Sequence, residues 1–213
     1  MITRKEAEAI IDDVKKDAIK NGRRESTWFR FHNHIYGTAA IAELMAAKAG
    51  MDAERAYVLG LLHDVMKLEE YKAMRFHGIL GYERLKDVDE GVARICLTHM
   101  FPFNVFENAP PSGSQMFFGD KEDVAFVKSF LKDNEPDDYD LLIQIADCFA
   151  DSRGFVTLQQ RGEDYALRYG MEFPPELMKP RFDLKEFFDK RIGGNTYDLF
   201  YNPKVDGLGI MGF

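Results

Sequence analysis

Cysteine is scarce: the 213 residues hold two, Cys96 and Cys148, each inside an apolar-periodic stretch (VARICLTHM and LLIQIADCFA). That excludes the disulfide framework of a secreted scaffold and a zinc site built on cysteine pairs, and it fits reduced thiols acting as small hydrophobes in a cytoplasmic chain. Long hydrophobic runs are also missing. No segment approaches the roughly 18–20 apolar residues of a membrane span, and MITRKEAEAI is a polar helical start without a signal core, so a soluble, unprocessed protein with no membrane partner is expected. A Gly-x-x-x-x-Gly-Lys phosphate loop, a Ser nucleophile elbow and a dinucleotide fingerprint are absent too, which leaves covalent and nicotinamide chemistry unsupported. Positive charge is in the minority: 28 Lys and Arg against 36 Asp and Glu give a net charge of −8. This argues against an extended nucleic-acid partner while leaving room for a local basic pocket.

What is present is an ordinary globular composition, 46% hydrophobic with 30% charged residues, enough to bury a core. No composition break divides it, so a single domain over 1–213 is expected. Thr3-x-x-Glu6 has capping-box spacing, and Ala7, Ile10, Ile11, Val14 and Ala18 follow at helical period until Asn21-Gly22. A polar and aromatic bridge then leads to a second helix from near His34 to Ala49. Asp52 caps a third, AERAYVLGLLHDVMKL, too continuously apolar to be exposed. Short helices are expected around Glu69–Arg75, Gly78–Leu85 and Asp89–Thr98. Pro102, Pro110, Pro111, Gly113 and Gly119 make 101–120 a long loop. Asp120 would cap Lys121–Lys132, and helices follow at Tyr139–Ser152, Thr157–Tyr169 and Leu184–Arg191 before a Gly-rich tail ending GLGIMGF. With no convincing strand alternation, the class expected is all-α.

All five histidines, His32, His34, His63, His77 and His99, fall in the first half of the chain. The sharpest local signal is LLHDVMK at 61–67, where a buried apolar run ends in an adjacent imidazole and carboxylate. Burying both is costly unless something satisfies them, and a divalent ion does so. Nitrogen with oxygen donors suits Mn, Fe, Co, Ni or Zn. Asp147, among apolar neighbours in QIADCFAD, poses the same cost and has the same solution. An aromatic set, Phe101, Phe103, Phe106, Phe117 and Phe118, would pack the loop onto its own core or a second subunit, or stack on a base.

HIYGTA from His34, LLHDVMK, RFHGILGYERL at 75–85, LTHM at 97–100 and IADCFADSR at 145–153 resemble, in order and spacing, the successive motifs of HD-domain phosphohydrolases. The resemblance covers roughly 30–155 and leaves 156–213 as a C-terminal helical extension and tail. Its closest flavour is the binuclear, histidine-rich subset such as the bacterial diadenosine tetraphosphate hydrolases. The lack of a GYP tripeptide and the single His in LTHM set the chain apart from HD-GYP phosphodiesterases.

The resemblance implies a helical bundle in which His34, His63, Asp64 and Asp147 hold one ion, and His77 and His99 hold a second that Asp64 bridges. His32 is expected outside the ligand set. Lys67, one turn after His63, and Arg153, six residues after Asp147, would meet substrate phosphate, with Asp64 and Lys67 as the catalytic pair. The expected activity is hydrolysis of a phosphate ester or anhydride of a small, nucleotide-like substrate through a metal-activated water. Ligand order alone leaves open an HD-fold di-iron oxygenase or a non-catalytic nucleotide-binding protein, and a homodimer is compatible with the sequence.

Overall fold

The structure, a computed structural model, describes residues 1–69, 73, 75–110, 121–170, 172 and 175–200. The expected helix Glu69–Arg75, the cap at Asp120, Phe117, Phe118 and the Gly-rich tail lie wholly or mostly outside these residues. Among them the regular secondary structure is helical apart from one minimal hairpin, as an all-α reading requires.

Helix α1 (Arg4–Lys20) begins on the Thr3/Glu6 capping box and buries Ala7, Ile11, Val14 and Ala18. Helix α2 spans Glu25–Ala49 and ends on Gly50 in the left-handed conformation. It starts nine residues before the expected His34, because the supposed bridge extends the apolar stripe: partly buried Trp28 and buried Phe31 lie at helical spacing from Ile35. His34 is therefore mid-helix. Helix α3 (Ala53–Leu62) is capped by the Asp52 side chain and buries every residue from Ala56 to Leu62. It stops earlier than the pattern suggested, since turns bonded Val65 to Leu62 and Lys67 to Asp64 replace the helical ladder after His63. Lys67 consequently owes its position to those turns and not to a shared helix face with His63.

Helices α4 (His77–Leu85) and α5 (Glu90–Thr98) follow, then two single 3-10 turns at Pro102–Asn104 and Phe106–Asn108. Phe101 is fully buried with Phe76, Leu97 and Val127, and Phe106 stacks on it at 5.5 Å, so this part of the aromatic loop packs onto its own core. Helix α6 covers Lys121–Asp133. Helix α7 runs over Asp138–Phe149 from an Asp137/Asp140 capping box. It ends three residues before the expected Ser152, where Ala150–Asp151 and Gly154–Phe155 pair as antiparallel β1 and β2. Two-residue strands leave no alternation for a sequence pattern to show. Helix α8 is Leu158–Tyr169. Helix α9 is Pro175–Ile192, nine residues longer at its start than expected because it runs through Pro180, a residue ordinarily treated as a breaker.

One hydrophobic cluster links α1, α2, α3, α5, α7, α8 and α9. The most extensive contact in it is between α2 and α3. A Cβ on Gly60 would lie 2.9 Å from Ala39 Cα, so glycine permits the backbone approach that sets His63 beside His34. Gly78 acts likewise for His77, with Cys96 O 2.5 Å from where its Cβ would be.

Candidate metal centre

Four helices and the turn after α3 bring together six side chains from distant positions in sequence. His34 comes from the middle of α2, His63 and Asp64 from the end of α3, His77 from the first turn of α4, His99 from the end of α5 and Asp147 from the last turn of α7. His63, Asp64, His77 and His99 are buried. His34 and Asp147 are partly open to a cleft of about 620 Å³.

Asp64 is the centre of the arrangement. Its Oδ1 lies 2.9 Å from His77 Nε2 and 3.3 Å from His99 Nε2, while Oδ2 lies 3.6 Å from His34 Nε2 and 3.7 Å from His63 Nε2. Asp147 Oδ1 closes the second side, 3.1 Å from His34 Nε2 and 3.7 Å from His63 Nε2. Two sets of three, His34/His63/Asp147 and His63/Asp64/His99, place ligand atoms within 4.8 Å of one another.

The hydrogen bonds behind the rings explain why these faces suit a cation. His63 Nδ1 donates to Gly60 O at 2.7 Å, His99 Nδ1 to Cys96 O at 2.9 Å and His34 Nδ1 to Ala150 O at 3.2 Å. With the proton held on Nδ1, each Nε2 presents a lone pair to the centre. His34 and His63 Nε2 are only 3.3 Å apart, as are those of His77 and His99. Such facing nitrogens, and a buried Asp64 Oδ1 that receives no well-directed hydrogen bond, are unfavourable until a positive ion stands between them. The donor set of imidazoles and carboxylates therefore fits a divalent transition metal.

Electrostatics act in both directions: against burial, Asp64 and Asp147 push His99 up from its ordinary value, so that ring has a proton to give up when it ligates. Burial pushes His63 down to about 4, so it is neutral and able to ligate at pH 7. Burial opposes ionisation of Asp64, yet His77, His63 and Lys67 hold it well below the usual carboxylate range. Asp147 is likewise held low against burial by its close contact with His34 and by the neighbouring His63 and His99 rings.

Lys67 lines the cleft with its ammonium 3.1 Å from His77 Nδ1. Arg153 is at the cleft rim in the β1–β2 turn and not at a helix end. Its side chain is 77% exposed and grips Asp151 with bonds of 2.5 and 2.9 Å. His32 stands apart, stacked on Tyr36 at 4.4 Å.

Sequence reasoning missed most of the cleft's positive lining. Among the described residues seven Lys or Arg side chains border it against four Asp, in a chain whose net charge is −8. Besides Lys67 and Arg153 these are Arg23, Arg30, Arg161, Arg168 and Arg181. A signal existed: Arg161 falls in register with buried Leu158 and Tyr165, and Arg181 with Met178, Leu184 and Phe188, so each is a charge on an apolar stripe.

Among the described residues no helix is long and apolar enough to cross a membrane, and both cysteines are buried and unpaired. No curated protein and no solved structure matches the chain. The family profile for the HD domain matches residues 31–151, more than half of the chain, with the six-residue centre inside its limits. The chain belongs to the HD-domain family, a superfamily of metal-dependent hydrolases.

Proposed function

We propose that this protein is a binuclear, metal-dependent phosphohydrolase acting on a phosphate ester or anhydride of a small, nucleotide-like substrate. The observation that carries the reading is Asp64, whose two oxygens face two separate imidazole pairs, as a bridging carboxylate must. His34, His63, Asp64 and Asp147 would hold one ion, and His77, His99 and the other oxygen of Asp64 the second. When bound, such ions lower the pKa of water and clamp phosphoryl oxygens.

The chain's own residues complete the site. Backbone carbonyls orient His34, His63 and His99, so these three rings need no reorganisation on binding. For His77 to ligate through Nε2 its proton must sit on Nδ1, which requires the Lys67 ammonium to turn away from that atom. The cleft beside it is where an anionic substrate enters, and Lys67 can there offset charge that builds on the equatorial phosphoryl oxygens. Arg153 can swing from Asp151 toward a phosphate at the rim. The seven Lys and Arg side chains that line the cleft among the described residues favour an anionic substrate over the neutral polyol or carbon chain of an oxygenase reaction.

The test is a panel of nucleoside monophosphates, dinucleoside polyphosphates and simple phosphomonoesters, with Mn²⁺, Fe²⁺, Co²⁺ and Ni²⁺ supplied in turn and with or without oxygen. Phosphate-bond cleavage indifferent to oxygen is expected; product that requires oxygen overturns the reading in favour of a di-iron oxygenase. Lys67→Met should keep its metals and lose about tenfold in kcat/KM, about 1.4 kcal/mol of transition-state stabilisation.

A further inference from the structure

Outside the 31–151 family match, helices α8 and α9 add something the metal centre does not need. Arg181 is only 2% exposed, yet it lines the cleft. Its Nη1 donates to Leu177 O at 2.6 Å and to Asn108 O at 3.1 Å, while its buried Nε has no hydrogen-bond partner. Arg161, 8% exposed, caps the end of α7: Nε donates to Cys148 O at 3.0 Å and Nη2 to Asp147 O at 2.8 Å and to Ala150 O. Its Nη1 makes no hydrogen bond among the described residues. Among the described residues no carboxylate forms an ion pair with either guanidinium, although Asp147 and Asp164 lie near enough to Arg161 to favour its charge. Tyr165 lies between them, its ring centre 6.0 Å from Arg161 Cζ and 5.9 Å from Arg181 Cζ.

A buried charge without a directly paired counter-charge is unfavourable, and two around one ring more so. The carbonyl bonds satisfy geometry without neutralising charge. Because Arg161 holds the carbonyl of Asp147 itself, this cationic recess adjoins the candidate ions. We propose that Arg161 and Arg181, with Tyr165 as the wall between them, form a second anion subsite that holds a phosphate of the substrate that is not the one cleaved. The substrate is then a polyphosphate chain, with one phosphoryl group at the metal centre and a neighbouring one in the recess. Arg181 keeps its Nε for phosphate oxygens, while Arg161, whose Nε and Nη2 are held by carbonyls, can add Nη1; a guanidinium can serve both sets of acceptors at once, which a lysine ammonium does less well. This deepens the phosphohydrolase reading and rests on it for the word substrate; the subsite itself rests on the arginines alone.

The two can be separated by experiment. Chelator-treated full-length protein is titrated with tripolyphosphate and with inorganic phosphate, following both heat and thermal stability. Tripolyphosphate should bind and stabilise the metal-free wild type, and Arg181→Met should weaken it at least tenfold. Because Arg181 is buried, Arg181→Lys is measured alongside: it keeps the charge, so it should retain more affinity than Arg181→Met. With metal restored, Arg181→Met should raise KM for a polyphosphate substrate more than it lowers kcat. A metal-free wild type that tripolyphosphate neither binds nor stabilises would overturn the subsite. So would equal affinities in wild type and a folded Arg181→Met. Arginine-dependent tripolyphosphate binding without cleavage of any phosphate compound would keep the subsite and sink the hydrolase reading alone.

Discussion

Asp64→Asn tests the centre with the least disturbance, since it keeps side-chain volume and one carbonyl oxygen while removing the charge that both imidazole pairs share. Oδ1 at 2.9 and 3.3 Å from His77 and His99, with Oδ2 at 3.6 and 3.7 Å from His34 and His63, means that this one substitution touches both candidate ion positions. An ion that binds only the folded state stabilises it by about 4 kcal/mol when present at roughly a thousand times its Kd. For a chain of this length that raises Tm by about 8–16 °C. The wild type should show such a rise on adding metal to chelator-treated protein, and Asp64→Asn should show little of it. In chelator the two proteins should differ by no more than about 1–2 kcal/mol, because the amide can donate to a bare Nε2 where the carboxylate Oδ1 had no directed bond. Metal content by elemental analysis and melting by circular dichroism, with and without ion, decide the matter. An Asp64→Asn protein that holds as many ions as the wild type, or gains the same Tm with metal, would refute the bridging role.

His77→Ala and His99→Ala, made separately, should each lower metal content from about two ions per chain to about one while His34, His63 and Asp147 keep the other; unchanged content in both would make these rings structural. Stability has its own test at Asp89, which caps α5, accepts from Ile2 N at 2.7 Å and binds Arg55 through bonds of 2.7 and 2.8 Å. Burial opposes its ionisation, but the Arg55 pair and the two backbone donors push it down to about 2 from an ordinary 3.8. The contribution is present above about pH 4 and lost as pH falls through about 2, and is worth on the order of 1–2 kcal/mol. Asp89→Ala, which strands Arg55, should cost about 3 kcal/mol by denaturant titration at neutral pH, and the variant's stability should depend less on pH across that acid window than the wild type's.

The helical class, the capped starts of α1 and α3, and five motifs in order were properties of the sequence itself. Caps and periodicity are local, so Thr3 with Glu6, and Asp52, act within one turn. The cost of burying His63 beside Asp64 can be recognised in a heptapeptide. Where α2 begins and α3 ends could not be read the same way, because those boundaries depend on what Phe31 packs against and on where Asp64 turns inward. Only the tertiary structure decided that Asp64 stands between two imidazole pairs contributed by four helices, since carbonyls as distant as Ala150 orient the rings. It also decided that an acidic chain has a cationic cleft. Net charge is a sum over all residues, whereas the field at a site depends on which few side chains folding brings within several ångströms of it, and Arg161 and Arg181 come from helices far along the chain from His34.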